Sequence, residues 1–521
     1  MTGGTTDRTA RRIGARIGLA LVAVTLLGVG VACGEPDPPP PPVDRVSIAT
    51  TPGMFPAFDA EIIDYVVRCD GNPVHLVVDG PADHELSING GPFQAGHQET
   101  DVALTPGAAV TVVDLALLRD YVIRCLPYDY PQFSVSGHGQ QAEYYLTLPF
   151  GISGLSLTPQ YATIFDRNGV PVWWSKDRLA SNYATLFDNR DLAIVRNDGQ
   201  PTEVASLLFG SPVNTITVDG MPGGATFDGH DVLRLANGNY VVVYNIVTTM
   251  DVSGAFPNHS GDPSLTSAGV LDHVLVEVEP DGTVVWSWKT SDHIAPSELA
   301  PQWEETLYTG LHPNGYDIYH WNSVERTPTG YMLSFRHNDA IYAITRDPGQ
   351  PDDGDVEWKL GGTTRPESLD IVGDPVFTGG SGFGGQHDAR RLPDGTITLH
   401  DNGTNLSRAP RGVRYDLDLD TPVGTGGTAT LVEQVRDEPG VPSSFCCGSA
   451  RRLPGGNWLF GFGSSNAFEE IAPTGDIARP DGDVVFRVAF SGGPLEYRTE
   501  PIAPGFLNFW YLRIAMALQY G

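Results

Sequence analysis

The sequence predicts an all-β chain whose larger part is a β-propeller, and two recurring phrases carry that expectation. Aligned on a turn glycine, four segments share one outline: His230-Asp-Val-Leu-Arg-Leu-Ala-Asn-Gly238, Asn322-Ser-Val-Glu-Arg-Thr-Pro-Thr-Gly330, His387-Asp-Ala-Arg-Arg-Leu-Pro-Asp-Gly395 and Gly448-Ser-Ala-Arg-Arg-Leu-Pro-Gly-Gly456. Each is followed by an apolar or alternating run, Tyr240 to Tyr244, Tyr331 to Phe335, Thr396 to Leu399 and Trp458 to Phe462. This is one hairpin written four times, with a glycine where the turn needs a positive backbone angle. The second phrase has a turn glycine feeding a tryptophan strand: Asp166 to Trp173, Pro280 to Trp286 and Asp353 to Trp358. It falls between the hairpins, as an outer pair of strands would. Short strands repeating every several tens of residues are the mark of propeller blades, which bury their faces only against neighbours.

At the start of the chain, residues 1–33 carry Arg8, Arg11, Arg12 and Arg16, then the apolar run Ile17 to Ala32, then Cys33. The run is shorter than the ~20 residues a spanning helix needs, and it reads as a secretory signal. Gly30 and Ala32 before Cys33 resemble a bacterial lipoprotein signal, which implies a lipid anchor on Cys33 and a place at the outer face of a membrane. Ordinary cleavage near Ala32 is the other reading. Arg11-Arg12 leaves Sec and twin-arginine export both open. Residues 34–45 include the proline-rich stretch Glu35 to Pro42, a polyproline spacer that holds the folded part away from a surface.

Residues 46–131 show short β-like runs, such as Val74 to Val78 and Ala109 to Val113, broken by Gly, Pro and Asn, which fit a small accessory β-sandwich. Two near-copies, Tyr65-Val-Val-Arg-Cys69 and Tyr121-Val-Ile-Arg-Cys125, place a cysteine at matching points, and in an exported chain these are expected to pair. Residues 132–521 are assigned to the propeller. Cys446 and Cys447 are adjacent just before the fourth hairpin and are either a vicinal disulfide or two thiols.

The formal net charge of −31, from 63 acidic against 32 basic residues, excludes nucleic acid as an expected partner, since its backbone requires a basic face. The only lysines are Lys176, Lys289 and Lys359, and no glycine-rich phosphate loop with a lysine is present, which argues against a nucleotide donor. No cofactor is expected.

In a propeller, equivalent repeat positions ring one channel, which converts spacing into proximity. Three hairpins then bring His230, Asn322 with His320 two residues earlier, and His387 together, while Gly448 leaves the fourth silent. On strand alternation His320 and Asn322 share a side. Six residues after the turn glycine stand Tyr244, Arg336, Asp401 and Phe462, which places Arg336 in the layer of the ring. By the same alternation Asp231, Asp388 and His337 point away, the two aspartates as turn or strand-capping residues, and Trp321 is packing. Three converging histidines with an arginine point to a functional site rather than to structural residues.

At these residues the sequence resembles the PAPS-independent arylsulfate sulfotransferases, chiefly in Tyr319-His-Trp-Asn-Ser-Val324, Ser334-Phe-Arg-His337 and Gln386-His-Asp-Ala389. The resemblance spans about Tyr161 to Phe462. It implies a six-bladed propeller behind a small N-terminal β-domain, and sulfuryl transfer from an aryl sulfate to a phenol without a nucleotide donor. It also implies site residues: His320, Asn322 and Arg336 around the sulfate, His387 as its covalent acceptor and His230 as a further active-site histidine; Tyr244, placed by the register six beyond its turn glycine, is expected as a substrate contact. Two other classes stay open. A metal-dependent hydrolase or lactonase would use the histidines as ligands, and a non-catalytic binding propeller would use only the scaffold.

Overall fold

The computed structural model describes residues 45–149, 160–176, 181–196, 198–377, 382–420, 424–492 and 495–520. The export segment, Cys33 and the proline tether therefore lie outside the described residues. What is described is mostly β, in antiparallel sheets, as the repeats imply.

Two sheets, of three and five strands, come first. One orders Ser47–Thr51, Val74–Asp79 and Gln98–Val102, and the other Met54–Phe55, Asp64–Arg68, Arg119–Leu126, Ala109–Asp114 and Leu86–Ile88. The two near-copies of the sequence are the strands Asp64–Arg68 and Arg119–Leu126, which pair parallel with Tyr65 opposite Ile123. That pairing brings Cys69 and Cys125 to a Cα separation of 5.6 Å, and they form the expected disulfide. Alternate residues Val74, Leu76, Val78, Val110 and Val112 turn inward to close an apolar core around it.

Six more sheets, of four or five strands each, follow along the chain, numbered first to sixth below. The second contains Ser181–Leu186 to Pro212–Thr215, the third Thr226–Phe227 to Val284–Lys289, and the fourth Trp321–Arg326 to Val356–Gly361. The fifth is built on His387–Arg391, Ile397–Asp401, Arg411–Leu419 and Gly427–Val435, with Leu369–Val372 added parallel at its edge. The first and sixth are completed from both ends of the chain. Tyr144–Thr147 lies between Tyr161–Asp166 and Thr499–Pro501, and Phe133–Ser136 pairs with Asp483–Phe490. The tryptophan strands Pro171–Lys176, Val284–Lys289 and Val356–Gly361 each end a sheet, with Trp173, Trp286 and Trp358 buried.

All four hairpins form. In three of them the turn glycine has the expected positive φ, +93° at Gly238 and Gly395 and +104° at Gly456. Gly330 is different: its φ is ordinary, and it is needed because a Cβ there would meet the Ile344 carbonyl oxygen at 1.9 Å. Two α-helices, Glu304–Thr309 and Phe509–Tyr520, were not anticipated. The second carries Arg513, which bridges to Asp64 at 2.8 Å and so ties the chain's end to the early sheets.

Asp231 and Asp388, expected as capping residues, are instead the centre of a buried ion network. Asp231 accepts from the Tyr183 hydroxyl (2.8 Å), the Val324 N–H (3.0 Å), Arg390 (2.9 Å) and Arg498 (2.9 Å). Asp388 accepts from Arg451 (2.6 and 2.8 Å) and lies 3.0 Å from Arg390. Tyr183 belongs to the second sheet, Asp231 to the third, Val324 to the fourth, Asp388 and Arg390 to the fifth and Arg451 to the sixth, while Arg498 adjoins Thr499–Pro501 of the first. Alternation failed to find this because Asp231 precedes its strand and Asp388 is left-handed (φ +54°) beside a bulge in the pairing.

Candidate active site

Four non-glycine residues in the left-handed region, His320 (φ +54°), Asp339 (+45°), Asp388 (+54°) and Cys447 (+64°), stand in or next to the predicted site residues. Such conformations persist only where surrounding contacts enforce them. Here the contacts are hydrogen bonds that aim three imidazoles.

His230 Nδ1 donates to Asp228 Oδ1 at 2.6 Å, and the backbone N–H of His230 donates to the same oxygen at 2.9 Å. The other oxygen, Oδ2, accepts from Asn245 Nδ2 (3.0 Å); Asn245 Oδ1 in turn accepts from His273 Nδ1 (2.6 Å), and His273 Nε2 takes the Trp321 N–H (3.4 Å). An ionised carboxylate only accepts, so this chain fixes the proton of His230 on Nδ1 and leaves Nε2 free to hold another. His320 has a carboxylate of its own: its Nδ1 lies 2.5 Å from Asp317 Oδ2. The His230 and His320 rings are 5.1 Å apart between centroids.

His387 is held differently. Its Nδ1 donates to the Asn402 side-chain oxygen (2.8 Å) and the Gly385 carbonyl (2.9 Å), so Nε2 is the lone-pair nitrogen, and it accepts the Cys447 N–H at 3.2 Å. Its partner is thus a neutral amide where the other two have carboxylates. Burial, aided by the nearby charge of Arg336, pushes the His387 pKa well below the ordinary histidine value. Burial also works to lower that of His230, but Asp228 overcomes it and the net shift is upward. At His320 burial prevails over Asp317 and the pKa falls. One imidazole is therefore kept neutral as a nucleophile would be, and another is biased to carry a proton.

Arg336 reaches the same place. The expectation that His337 points away is corrected, because Arg336–Asn338 is a turn of 3₁₀ helix and strand alternation does not apply. His337 accepts from Arg336 Nη1 at 3.0 Å, donates from Nδ1 to the Asp317 carbonyl at 2.5 Å, and its ring centre lies 4.6 Å from that of His320. The guanidinium also donates to the Phe445 carbonyl (2.6 Å) and lies 4.5 Å over Trp303, while its buried Nε has no hydrogen-bond partner among the described residues. It keeps donor capacity for an anion.

The remaining predicted residues play other parts. Asn322 donates to the Gln386 carbonyl at 2.7 Å and braces the backbone just before His387. Since His320 is left-handed and the pairing slips between Trp321 and Ser323, alternation does not relate Asn322 to His320. Tyr244 pairs with Phe227 and Val274 in the third sheet and packs on the apolar core; among the described residues no hydrogen bond or ring contact joins it to the histidines. Asp401 spends its carboxylate on Arg408, Arg411 and the N–H of Gly384. Sequence reasoning missed Asp228, Asp317, Asn402 and His337. The spacings Asp-x-His at 228 and 230 and Asp-x-x-His at 317 and 320 were the available signal.

Asp317, His320 and His337 could reach one metal ion, their ligand atoms lying within 4.8 Å of one another. The fit is poor. The His337 nitrogen that would bind is already engaged by a guanidinium, whose charge repels a cation.

The family model for arylsulfotransferase (ASST) matches residues 205–479, which hold every residue of this cluster. No curated protein matches the chain. Similar solved structures include a protein of unknown function from Bacteroides caccae, with 11% identity, a TM-score of 0.39 and coverage of 70% of this chain and 100% of that one. The periplasmic gluconolactonase of Pseudomonas aeruginosa follows at 12% identity, a TM-score of 0.38 and coverage of 69% and 99%. The virginiamycin B lyase of Staphylococcus aureus shows 10% identity, a TM-score of 0.32 and coverage of 66% and 86%.

Proposed function

The chain belongs to the arylsulfotransferase family, and from that premise we propose that it moves a sulfuryl group from an aryl sulfate to a phenol through a sulfohistidine on His387. Membership supports arylsulfotransferase activity in general and small aryl substrates. The observation that carries the finer reading is the sorting of histidine partners: a neutral amide behind His387, carboxylates behind His230 and His320.

His387 Nε2 attacks sulfur, the bond from sulfur to the aryl oxygen breaks, and the departing phenolate takes the proton from His230 Nε2. A phenol has an unperturbed pKa near ~10, so this protonation lowers the barrier to leaving. Arg336 and His320 lie where they stabilise the sulfuryl oxygens as their charge redistributes. The acceptor phenol then gives its proton to His230, its oxygen attacks sulfur, and the nitrogen–sulfur bond breaks. Ping-pong kinetics follow.

The scaffold reading is that residues 132–521 form one six-bladed propeller and residues 46–131 a separate small domain. Its support is that residues in or next to strands of all six later sheets meet in the network around Asp231 and Asp388. The lipid anchor on Cys33 and a place outside a bacterial membrane are proposed as well, supported by the Cys69–Cys125 disulfide, which suits an oxidising compartment.

The test is His387→Ala. With 4-nitrophenyl sulfate and a phenol acceptor, the variant should show no transfer, and the peptide carrying residue 387 should lose the sulfuryl adduct seen in the parent. An adduct that survives, or one found on His320 in the parent, would overturn the assignment. The metal reading rests on the cluster of Asp317, His320 and His337. Stoichiometric bound metal whose removal by chelator ends activity would favour it.

A further inference from the structure

The segment Ser444–Gly448 puts two thiols beside the reacting groups, and its backbone touches the nitrogen assigned as the nucleophile. Cys446 and Cys447 are free and half-buried, and the N–H of the peptide joining them is the group that donates to His387 Nε2. That peptide is held at both ends. Asn402 Nδ2 (2.9 Å) and His400 Nδ1 (3.1 Å) grip the Cys447 carbonyl, the Ser444 hydroxyl contacts the Cys446 carbonyl (3.3 Å), and Phe445 is pinned by Arg336 and by the Ser464 hydroxyl (2.8 Å). Two glycines let neighbours close in: a Cβ on Gly463 would lie 2.0 Å from the Cys446 oxygen, and one on Gly448 would lie 2.4 Å from the His400 ring.

Adjacent Cα atoms sit about 3.8 Å apart across a trans peptide, less than the ~4.4–6.8 Å that a disulfide usually spans. A bond between Cys446 and Cys447 therefore requires the peptide between them to rotate. With Phe445 held on one side and the Cys447 carbonyl on the other, that rotation swings the Cys446 carbonyl off the Ser444 hydroxyl and the N–H off His387.

We propose that Cys446 and Cys447 form a reactive dithiol site for small-molecule disulfides, and that its oxidation withdraws the Cys447 N–H from His387 Nε2 and exposes the nucleophile. Cys446 thiolate attacks one sulfur of the disulfide and expels a thiolate. The Cys447 thiol then loses its proton and attacks the Cys446 sulfur, expelling the second. Two electrons pass to the small molecule, and the protons of the two cysteines end on its two thiols. The environment favours this order: the hydrogen bond between the two thiols is the largest influence, lowering the pKa of Cys446 and raising that of Cys447, and Arg336 and His230 add to the lowering at Cys446. The consequence for turnover rests on the role of His387 proposed above; the thiol chemistry does not.

The experiment equilibrates the full chain in buffers of varied reduced to oxidised glutathione. Alkylation and peptide mapping report Cys446 and Cys447, and diethyl pyrocarbonate labels His387. The pair should close as oxidised glutathione increases, and labelling of His387 should quicken about five-fold, the worth of one typical neutral hydrogen bond. Cys446→Ser should stay at the slow labelling rate in every buffer. The proposal is overturned if both cysteines remain alkylatable throughout, if glutathione stays attached to Cys446 without ring closure, or if His387 labels equally in both forms. Should labelling switch while neither form transfers sulfate, the dithiol site stands and only the transfer role falls.

Discussion

Replacing Asp228 with Asn separates a proton-holding role from a merely structural one. The carboxylate accepts from His230 Nδ1 at 2.6 Å and is itself buried. A hydrogen bond to a charged group contributes about 1.5–3 kcal/mol and a neutral one about 0.5–1.5. The substitution should therefore cost the imidazolium of His230 about 1.4 kcal/mol, close to one pKa unit. Because Asp228 raises the His230 pKa against burial, the parent should keep the proton to a pH above 6.5, and the alkaline limb of its kcat profile should lie there. In the variant that limb should move about one unit toward acid, so that kcat falls about ten-fold at pH values above both limbs and far less below them. If the new amide turned its NH₂ toward Nδ1, the ring would be held neutral and the change would run in the same direction. The assay is transfer from 4-nitrophenyl sulfate to phenol under saturating donor across the pH range. A loss of kcat equal at every pH, with the limb unmoved, would refute the assignment of His230 as proton carrier.

Arg336→Ala should lower kcat and raise KM together, reducing kcat/KM by about 10²–10³, the loss expected when a donor proposed to hold the sulfuryl oxygens is removed; steady-state kinetics check it. Asp388→Asn leaves Arg451 and Arg390 facing a neutral group in a buried network, and should destabilise the fold by about 3–5 kcal/mol in denaturant unfolding. Glu496 is pushed up to about 8 by burial, against hydrogen bonds from Thr147 and Thr499, so the folded state keeps a proton the unfolded chain releases near 4.5. Stability should therefore fall as pH rises from 4.5 through 8, and Glu496→Gln should remove that decline, a gain on the order of a few kcal/mol at about pH 9 with little change at pH 4.

Much of the scaffold was legible because repetition survives without knowledge of contacts. The four hairpins, the tryptophan strands that end sheets and the paired Tyr-Val-x-Arg-Cys segments all rest on local turn and strand chemistry. His230, His320, Arg336 and His387 were found by the same register, and the structure brings them together. What failed was alternation at element ends. His337 lies in a 3₁₀ turn, Asp388 is left-handed and Asp228 and Asp317 precede their strands, so the period of two says nothing about where they point. Asn402 was missed for another reason: it is fifteen residues from His387 in sequence, and only the pairing of His387 with His400 brings its amide beside the ring.

The two aspartates that follow the site histidines connect scaffold to chemistry. Asp231 and Asp388 are each one peptide from His230 and His387, and each is locked by guanidinium groups from several sheets. The imidazoles are thereby fixed from below, where the backbone cannot shift without breaking buried ion pairs. The same network answers a problem posed by composition. A chain of net charge −31 repels an anionic donor at long range, yet screening confines exposed charges to about 8–10 Å in ordinary salt. Within that distance the site presents Arg336 and a His230 biased toward protonation, while the carboxylates around it are each already engaged, Asp228 and Asp317 by histidines and Asp231 and Asp388 by guanidinium groups. The acidic groups beside the imidazoles are thus spoken for, and the proposed binding of a sulfate ester rests on the donors left over at Arg336 and His230 rather than on the charge of the molecule as a whole.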